Sequence, residues 1–464
     1  MRTAWTRVLG TPAAHLGVAC VFGLLLAAAL LGGRVRSRDR HRRGARIEAG
    51  RRAQRRAMRL RRARGYTVLT LAGVPVAPEE ETRHFKLIGA TGAGKSTAIR
   101  ELLHAALVRG DRAVIADPHG GYRARFFDGP RGDAVLNPFE AGSYQWDPFA
   151  ELGAPGDAEQ LAASLIPPSE DASGREWRGY ARTFLSAVLR RCEERRRDAA
   201  ELWRIIAVAS GAELAALVYG TPAQPFLEPE NARMFGSIRS VAVSAAAALE
   251  HVGAQRARAF SVRGWVRQGR GVLFLPYQAG QVAALRTLIA AWVRLAVFEA
   301  MSEEGERRLW FIVDELDALG AIDGLKDALA RLRKFGGRCV LGVQSIAQVS
   351  ATYGAGDAQT IVENCGNTLI LRCSASERGG TSQFCSRLIG DRQVLRRSIS
   401  RSREAGGGFG AGARGGRRTL QVSEQQVTEA AVLPAEIEQL PDLQGYLKTA
   451  ASPLWLRVRL RGAR

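Results

Sequence analysis

Residues 89–96 read Gly-Ala-Thr-Gly-Ala-Gly-Lys-Ser, and this short segment constrains the fold more than any other part of the chain. It matches the phosphate-binding pattern G-x-x-x-x-G-K-[ST]. The apolar run Phe85–Ile88 before it predicts a strand, and the spacing of apolar residues from Ser96 to Val108 predicts a helix. A strand, a glycine-rich loop and a helix in this order are the context that the motif requires. The sequence therefore predicts a P-loop nucleotide-binding core of the α/β class.

The residue types in this loop suit phosphate binding. Its glycines let the backbone turn so that successive N–H groups point at phosphate oxygens, helped by the positive end of the following helix. Lys95 is expected to reach the β- and γ-phosphates, and the Ser96 hydroxyl to ligate Mg²⁺. The predicted cofactors are ATP and Mg²⁺, and the predicted nucleotide-binding residues are Gly89, Ala90, Thr91, Gly92, Ala93, Gly94, Lys95, Ser96 and Thr97.

The composition indicates a folded chain with a polyanionic partner. Of its 464 residues 46% are hydrophobic, so the chain can bury a core and global disorder is excluded. The formal net charge of +22 points to nucleic acid or an anionic membrane face. The six cysteines show no C-x-x-C or Cys/His spacing, so we expect reduced thiols of a cytoplasmic domain rather than metal ligands.

The amino terminus has the pattern of a membrane anchor. Residues 13–33 are nearly uncharged and long enough to cross a bilayer, which needs about 20 residues in a helix. Fifteen arginines follow from Arg34 to Arg64, against Arg2 and Arg7 on the other side. The positive-inside rule then places the bulk of the chain in the cytoplasm. A cleaved signal peptide is the alternative, but an exported domain would find no nucleotide for its P-loop.

The arginine run has two interpretations. It is a topology signal that also contacts anionic lipid headgroups, or it is a nucleic-acid-binding arm. The position beside the predicted span favours the membrane role, because that role already accounts for the charge.

A second strand supplies the acidic residues that a P-loop site needs. The apolar run Leu309–Val313 predicts a buried parallel strand that ends in Asp314 and Glu315. We expect Asp314 to hold Mg²⁺ directly or through water. Glu315 is expected to activate the attacking water as a general base.

Alternating strands and helices continue after Glu315, which predicts a mostly parallel sheet with helices on both faces. Gln344 follows the apolar run Cys339–Val343, at the sheet edge where open α/β sheets bind ligands. There it is expected to sense the γ-phosphate, with a solvated surface glutamine as the alternative. Arg333 ends the helix after Glu315, so it either compensates the helix dipole or enters a neighbouring subunit's site.

Far more chain separates Lys95 from Asp314 than a minimal nucleotide-binding core needs. The excess is rich in Ala, Leu, Arg and Glu with helical spacing, which predicts an inserted all-α domain. The predicted layout is a transmembrane anchor (1–33), an Arg-rich juxtamembrane segment (34–65), a first part of the P-loop core (66–154), the all-α domain (155–262) and a second part of the core (263–464) with a Gly-rich loop at 405–416.

Several separate stretches resemble the TraD-type conjugative coupling proteins, which are membrane-anchored hexameric ATPases of type IV secretion. The similarity runs from about Tyr66 to Leu460. It is most specific from Phe311 to Gln348, which contains Asp314-Glu315, Arg333-Lys334-Phe335-Gly336-Gly337 and Gln344-Ser345. The other stretches are Gly89 to Thr97, Leu136 to Phe139 with Trp146-Asp147, Phe260 to Trp265, and Gln439 to Leu443 with Gly445-Tyr446.

The resemblance implies a RecA-like core that assembles as a homo-hexamer at the bacterial inner membrane, with its ATPase domain in the cytoplasm. It implies that Arg333 acts in trans on the adjacent subunit's nucleotide and that Gln344 couples hydrolysis to motion. It also implies that the helical domain forms the mouth where DNA enters. The implied partners are relaxase-bound single-stranded DNA, relaxosome proteins and inner-membrane components of a type IV secretion channel.

The sequence thus predicts an ATP-driven DNA translocase that delivers relaxase-bound single-stranded DNA during conjugation. A double-stranded DNA pump of the FtsK/HerA kind is one alternative. Another is a docking module at the membrane that binds nucleotide without hydrolysing it, although such a module has no need of Glu315 and Arg333. Protein effectors are a further possible cargo.

Overall fold

The fold is built around one large sheet. The computed structural model describes residues 39–64, 68–167, 169, 172–302, 308–375, 380–403 and 418–462. Within these residues the sheet has ten strands in the order β2-β17-β16-β13-β5-β12-β11-β6-β10-β7. The strands of the described chain are β1 Arg40–Gly44, β2 Ile47–Ala49, β3 Thr70–Leu71, β4 Val74–Pro75, β5 Phe85–Ile88, β6 Arg112–Pro118, β7 Ala134–Val135, β8 Gln145–Trp146, β9 Ala259–Phe260, β10 Val272–Tyr277, β11 Leu309–Val313, β12 Gly337–Val343, β13 Asn367–Ile370, β14 Asp391–Arg403, β15 Arg418–Ala430, β16 Gln444–Lys448 and β17 Trp455–Arg459.

The centre of this sheet is parallel, as predicted. Strands β13, β5, β12, β11, β6, β10 and β7 all run in one direction. The runs Phe85–Ile88 and Leu309–Val313 are buried at every position, which explains why they are continuously apolar. Strand β16 pairs antiparallel with both β13 and β17, so the sheet as a whole is mixed. The predicted α/β core is confirmed.

Helices connect these strands and form the helical domain. The helices of the described chain are α1 Arg51–Arg64, α2 Pro78–Glu81, α3 Lys95–Val108, α4 Arg123–Phe126, α5 Asp157–Leu165, α6 Ala172–Glu194, α7 Ala199–Ala207, α8 Gly211–Val218, α9 Ala232–Ala246, α10 Leu249–Ala254, α11 Val262–Gln268, α12 Val282–Ala300, α13 Leu325–Leu332, α14 Ile346–Tyr353, α15 Ala355–Asn364, α16 Gly380–Ile389 and α17 Pro434–Glu438. Helices α5 to α10 follow one another without an intervening strand, as the helical spacing predicted. The short strands β8 and β9 flank them and pair in parallel.

Part of the Arg-rich segment belongs to the core fold. Strand β2 pairs with β17, and helix α1 follows it. The Gln54 side-chain amide donates to the Ala72 carbonyl at 2.7 Å and to the Arg459 carbonyl at 3.3 Å. These bonds hold a helix with no acidic residue against the sheet edge. The charge pattern alone did not indicate this packing.

Within the described chain, a second compact unit comprises residues 39–45, 391–403 and 418–430. Strands β14 and β15 pair antiparallel from Asp391 opposite Ala430 to Arg403 opposite Arg418, and β1 pairs with β14. From the sequence we predict only a Gly-rich loop here. That loop lies within residues 404–417, outside the described residues. The long hairpin was missed because its strands are mostly polar and show no regular apolar alternation, with exposed residues such as Glu424 and Gln425.

The predicted membrane anchor, residues 13–33, also lies outside the described residues. In the part of the chain that is described, no helix combines the length and apolar character needed to cross a membrane.

One buried histidine ties the P-loop strand to its neighbours. His84 precedes β5, with its Nε2 donating to the Leu329 carbonyl at 2.9 Å and its Nδ1 accepting from the Cys339 N–H at 3.1 Å. Only a neutral imidazole can make both bonds. Burial, which outweighs the bond to Leu329, lowers the pKa of His84 from 6.5 to about 4.

We expect the His84→Asn variant to lose part of the pH dependence of stability. In the wild-type chain, His84 takes up a proton in the unfolded state at pH values that leave it neutral in the folded state. The free energy of unfolding of the wild type therefore falls as pH decreases from 6.5 to about 4. This effect amounts to about 3 kcal/mol. Asparagine tolerates the backbone φ of +55° at this position. Urea denaturation at several pH values measures the slope, and an unchanged slope in the variant would contradict the assignment.

Candidate nucleotide-binding site

The P-loop joins β5 to α3 at the carboxyl edge of the sheet. Gly94 has a φ of +118°, and a Cβ there would lie 2.8 Å from the Leu443 side chain, so both backbone and space require glycine. The Ala93 carbonyl accepts from the Leu443 N–H at 3.0 Å, and the Ala90 N–H donates to the Arg372 carbonyl at 2.7 Å. The loop is therefore supported by two later segments of the chain, one just after β13 and one just before β16.

Lys95 lies within this loop. Its Nζ donates to the Gly89 carbonyl at 2.7 Å and to the Ala90 carbonyl at 3.3 Å. Burial lowers the pKa of Lys95, while the charges of Asp314 and Glu315 oppose that shift. The ammonium group is thus preorganised over the loop that is expected to hold phosphates.

Asp314 connects the two predicted parts of the site, the P-loop and the acidic segment after β11. Its Oδ2 accepts from the Ser96 hydroxyl at 2.7 Å and from the Tyr122 hydroxyl at 2.7 Å. Asp314 and Tyr122 are both buried. The fold therefore brings together the hydroxyl and the carboxylate that the sequence analysis assigned to a metal.

The donor set fits Mg²⁺. The Oδ1 atom of Asp314 is buried and has no hydrogen-bond partner within the described chain. A hydroxyl and a carboxylate oxygen are ligands that Mg²⁺ prefers, and Mg²⁺ usually takes its remaining ligands from water and phosphate. Among the described residues, no group of three or more His, Cys, Asp or Glu side chains forms a metal cage. Ser96 and Asp314 thus suit a cation that arrives with a nucleotide.

Glu315 is next to this carboxylate and partly buried. Burial is the main cause that raises its pKa, and the negative charges of Asp314 and Asp317 add to it. A raised pKa brings a carboxylate closer to the operating range of a general base.

Gln344 follows β12 and points to the P-loop. Its Nε2 donates to the Thr91 Oγ1 at 2.7 Å. The side chain is exposed, yet it is in contact with the loop.

Arg333 is in a different environment. It is exposed and begins the short 3₁₀ helix Arg333–Phe335 at the end of α13. Among the described residues, no hydrogen bond or ion pair joins it to the P-loop of its own chain. The structure thus brings Lys95, Glu315 and Gln344 to one edge and leaves Arg333 on the surface.

Three residues at this edge were not assigned by the sequence analysis. Asp117 is fully buried near the end of β6, and its carboxylate accepts from the Tyr122 and Arg123 N–H groups at 2.9 and 2.7 Å. Burial raises its pKa to about 6. Tyr122 follows in the next turn, and Tyr277 ends β10. The signal available in the sequence was their position just after parallel strands, where ligand-binding residues collect.

Close packing around Asp314 depends on Gly342. A Cβ on Gly342 would lie 1.9 Å from the Asp314 carbonyl oxygen, and the Gly342 carbonyl accepts from the Leu316 N–H at 3.1 Å. Strand β12 therefore passes against the backbone of the acidic segment with no room for a side chain.

We expect Gly342→Ala to lower the free energy of unfolding by about 1–3 kcal/mol, because the backbone at Asp314 must move. The matched control is Gly356→Ala in α15, where a Cβ meets nothing within 4 Å. Alanine suits a helix better than glycine, so this control should be neutral or slightly stabilising. Thermal and urea denaturation compare the two, and equal stability of both variants would contradict the packing argument.

Comparisons with known proteins agree with this geometry. A family profile described as the type IV secretion-system coupling protein DNA-binding domain matches residues 68–461. The coupling protein TraD of Escherichia coli strain K12 is 29% identical over 391 residues, which cover 82% of this chain and 52% of TraD. The chain thus spans about half the length of that relative.

Solved structures of coupling proteins are similar over nearly the whole chain. An unbound form of the bacterial conjugative coupling protein TrwBdeltaN70 has a TM-score of 0.79 and 31% identity, covering 93% of this chain and 96% of that one. The plasmid coupling protein TrwB in complex with ADP and Mg²⁺ has a TM-score of 0.78 and 30% identity, covering 93% and 97%. These matches confirm the predicted RecA-like fold and the predicted resemblance. The chain belongs to the type IV secretion-system coupling protein family.

Proposed function

We propose that this protein is a membrane-anchored, ATP-driven DNA translocase that recruits relaxase-bound single-stranded DNA and delivers it to a type IV secretion channel during conjugation. The observation that carries the proposal is the contact between the Ser96 hydroxyl and the Asp314 carboxylate at 2.7 Å. It joins the P-loop to the acidic segment that follows strand β11, as a P-loop site that hydrolyses nucleotide requires.

Residues 89–97 bind the phosphates of ATP through backbone N–H groups, and Lys95 contacts the β- and γ-phosphates. Ser96 and Asp314 hold Mg²⁺, with Tyr122 orienting the Asp314 carboxylate by its hydrogen bond. Bound there, Mg²⁺ supplies positive charge that stabilises the charge developing on the phosphates. The complex of TrwB with ADP and Mg²⁺ supports this pair of cofactors.

Glu315 accepts the proton of the water that attacks the γ-phosphorus, while the bond to the bridging oxygen of ADP breaks. Its raised pKa suits this task. Gln344, in contact with Thr91, transmits the state of the P-loop to the rest of the motor.

Arg333 acts in trans within a homo-hexameric ring. Its exposed position, without a bond to its own P-loop among the described residues, supports a role in the neighbouring subunit's site. There its charge stabilises the transition state, which is worth about 10³-fold or more in rate.

The remaining parts of the proposal concern location and partners. Residues 13–33 anchor the chain in the bacterial inner membrane, with the ATPase domain in the cytoplasm. The partners are relaxosome proteins, DNA and inner-membrane components of the secretion channel. The family of coupling proteins and the net charge of +22 support them.

Steady-state ATP hydrolysis by the full chain, with and without DNA, tests the proposal. We expect hydrolysis that DNA stimulates and that Lys95→Ala abolishes. A preference for single strands supports conjugative transfer, whereas a preference for duplex supports a pump of the FtsK/HerA kind. Tight nucleotide binding without turnover under every condition would overturn the motor function and leave a docking module.

A mixing experiment tests the trans role of Arg333. Arg333→Ala subunits keep an intact nucleotide site, and Lys95→Ala subunits keep an intact arginine, so a mixed ring should hydrolyse ATP faster than the sum of the separate variants. Lys95→Ala mixed with Asp314→Ala is the control, because both defects fall on the subunit's own nucleotide site. No recovery in the first mixture, although mixed rings form, would contradict action in trans.

A further inference from the structure

Three buried side-chain oxygen atoms without a hydrogen-bond partner lie at the edge of the sheet that carries the candidate site. Among the described residues they are the Tyr277 Oη, the Asp314 Oδ1 and the Asp317 Oδ1. Leaving a buried polar group unpaired destabilises the folded state. Two of these atoms belong to the acidic segment after β11, and the third ends a strand of the same sheet. The fold thus maintains an unpaired phenol and unpaired carboxylate oxygens on the same edge of the sheet.

The register of the sheet brings Tyr277 to this edge. Strand β6 lies between β10 and β11, with Pro276 opposite Asp117 and Ala116 opposite Val313. The carboxyl ends of the three strands therefore lie side by side. The Tyr277 carbonyl accepts from the His119 N–H at 2.8 Å, which fixes the backbone at the end of β10. The side chain itself is only 4% exposed.

The phenol is kept as a hydrogen-bond donor. Burial first, and then the negative charges of Glu315 and Asp314, raise the pKa of Tyr277. The hydroxyl therefore keeps its proton at physiological pH. Tyr277 lies opposite Pro118, two residues after Ala116, and Glu315 lies two residues after Val313, which is opposite Ala116, so Tyr277 and Glu315 are at the same level of this edge. Asp314 already receives the hydroxyl of Tyr122.

We propose that Tyr277 positions Glu315 for catalysis: its hydroxyl donates to the Glu315 carboxylate in the nucleotide-bound state and directs the other carboxylate oxygen toward the attacking water. This inference rests on the proposed ATP hydrolysis. A carboxylate held by one donor has fewer orientations, so the proton transfer starts from a more favourable geometry. A purely structural tyrosine would instead use its hydroxyl within the fold.

Tyr353 is such a structural tyrosine and provides a matched control. It ends α14, and its Oη accepts from the Ile322 N–H at 3.2 Å and donates to the Gly320 carbonyl at 3.3 Å. Removing this hydroxyl leaves a backbone N–H and a carbonyl without that partner, whereas removing the Tyr277 hydroxyl leaves no protein group unpaired.

The test compares Tyr277→Phe and Tyr353→Phe in the full chain, by DNA-stimulated ATP hydrolysis and by thermal unfolding. We expect Tyr277→Phe to lower kcat about 10-fold to 100-fold, with KM within about two-fold and with an unchanged or higher Tm. Tyr353→Phe should show the opposite pattern, a lower Tm with kcat within about two-fold.

Each other outcome overturns the inference. If the wild type hydrolyses ATP and Tyr277→Phe has the same kcat, Tyr277 does not position Glu315, and the proposed function stands. If Tyr277→Phe loses kcat and Tm together, its role is structural. If the wild type shows no turnover under any condition, the proposed function and this inference both fall.

Discussion

The hydrogen bond between the Ser96 hydroxyl and the Asp314 carboxylate is the interaction on which the rest of the site depends. It joins residues separated by 218 positions in the chain. Strand β12 lies between β5 and β11, so the two residues approach from strands that are not direct neighbours. Gly342 on that central strand lets the acidic segment pack closely enough, and Tyr122 holds the carboxylate from the other side.

Contacts between the two ends of the helical domain explain how the core accommodates this large insertion. The helices from α5 to α10 leave and return through β8 and β9, which pair with each other. The buried Glu151 accepts from the N–H groups of Val262 and Arg263 at 2.6 and 3.0 Å, which ties the two ends together again. The sheet edge that carries the candidate site therefore forms whatever the length of the inserted segment, since the entropy cost of loop closure rises only slowly with length.

The sequence predicted those parts of the site whose signals are local. The P-loop is one continuous motif, and Asp314 with Glu315 follows a continuous apolar strand. Tyr122 and Tyr277 carry only a weak local signal, a position at or after the end of a strand, because their contacts depend on which strands become neighbours and in which register. The same limit applies to the hairpin of β14 and β15, whose polar residues give no core-facing pattern. Helix α1 shows the opposite case: its strong positive charge predicted a juxtamembrane segment and gave no sign that the helix packs against the sheet edge.

The central claim is that Ser96 and Asp314 form one metal site with a bound nucleotide. Titration of Mn²⁺, a spectroscopic substitute for Mg²⁺, followed by electron paramagnetic resonance tests it most directly on the full chain with a non-hydrolysable ATP analogue. We expect nucleotide-dependent Mn²⁺ binding that Asp314→Ala abolishes and Asp357→Ala preserves, because Asp357 pairs with Lys326 on the surface. Unchanged Mn²⁺ affinity in Asp314→Ala would contradict the account.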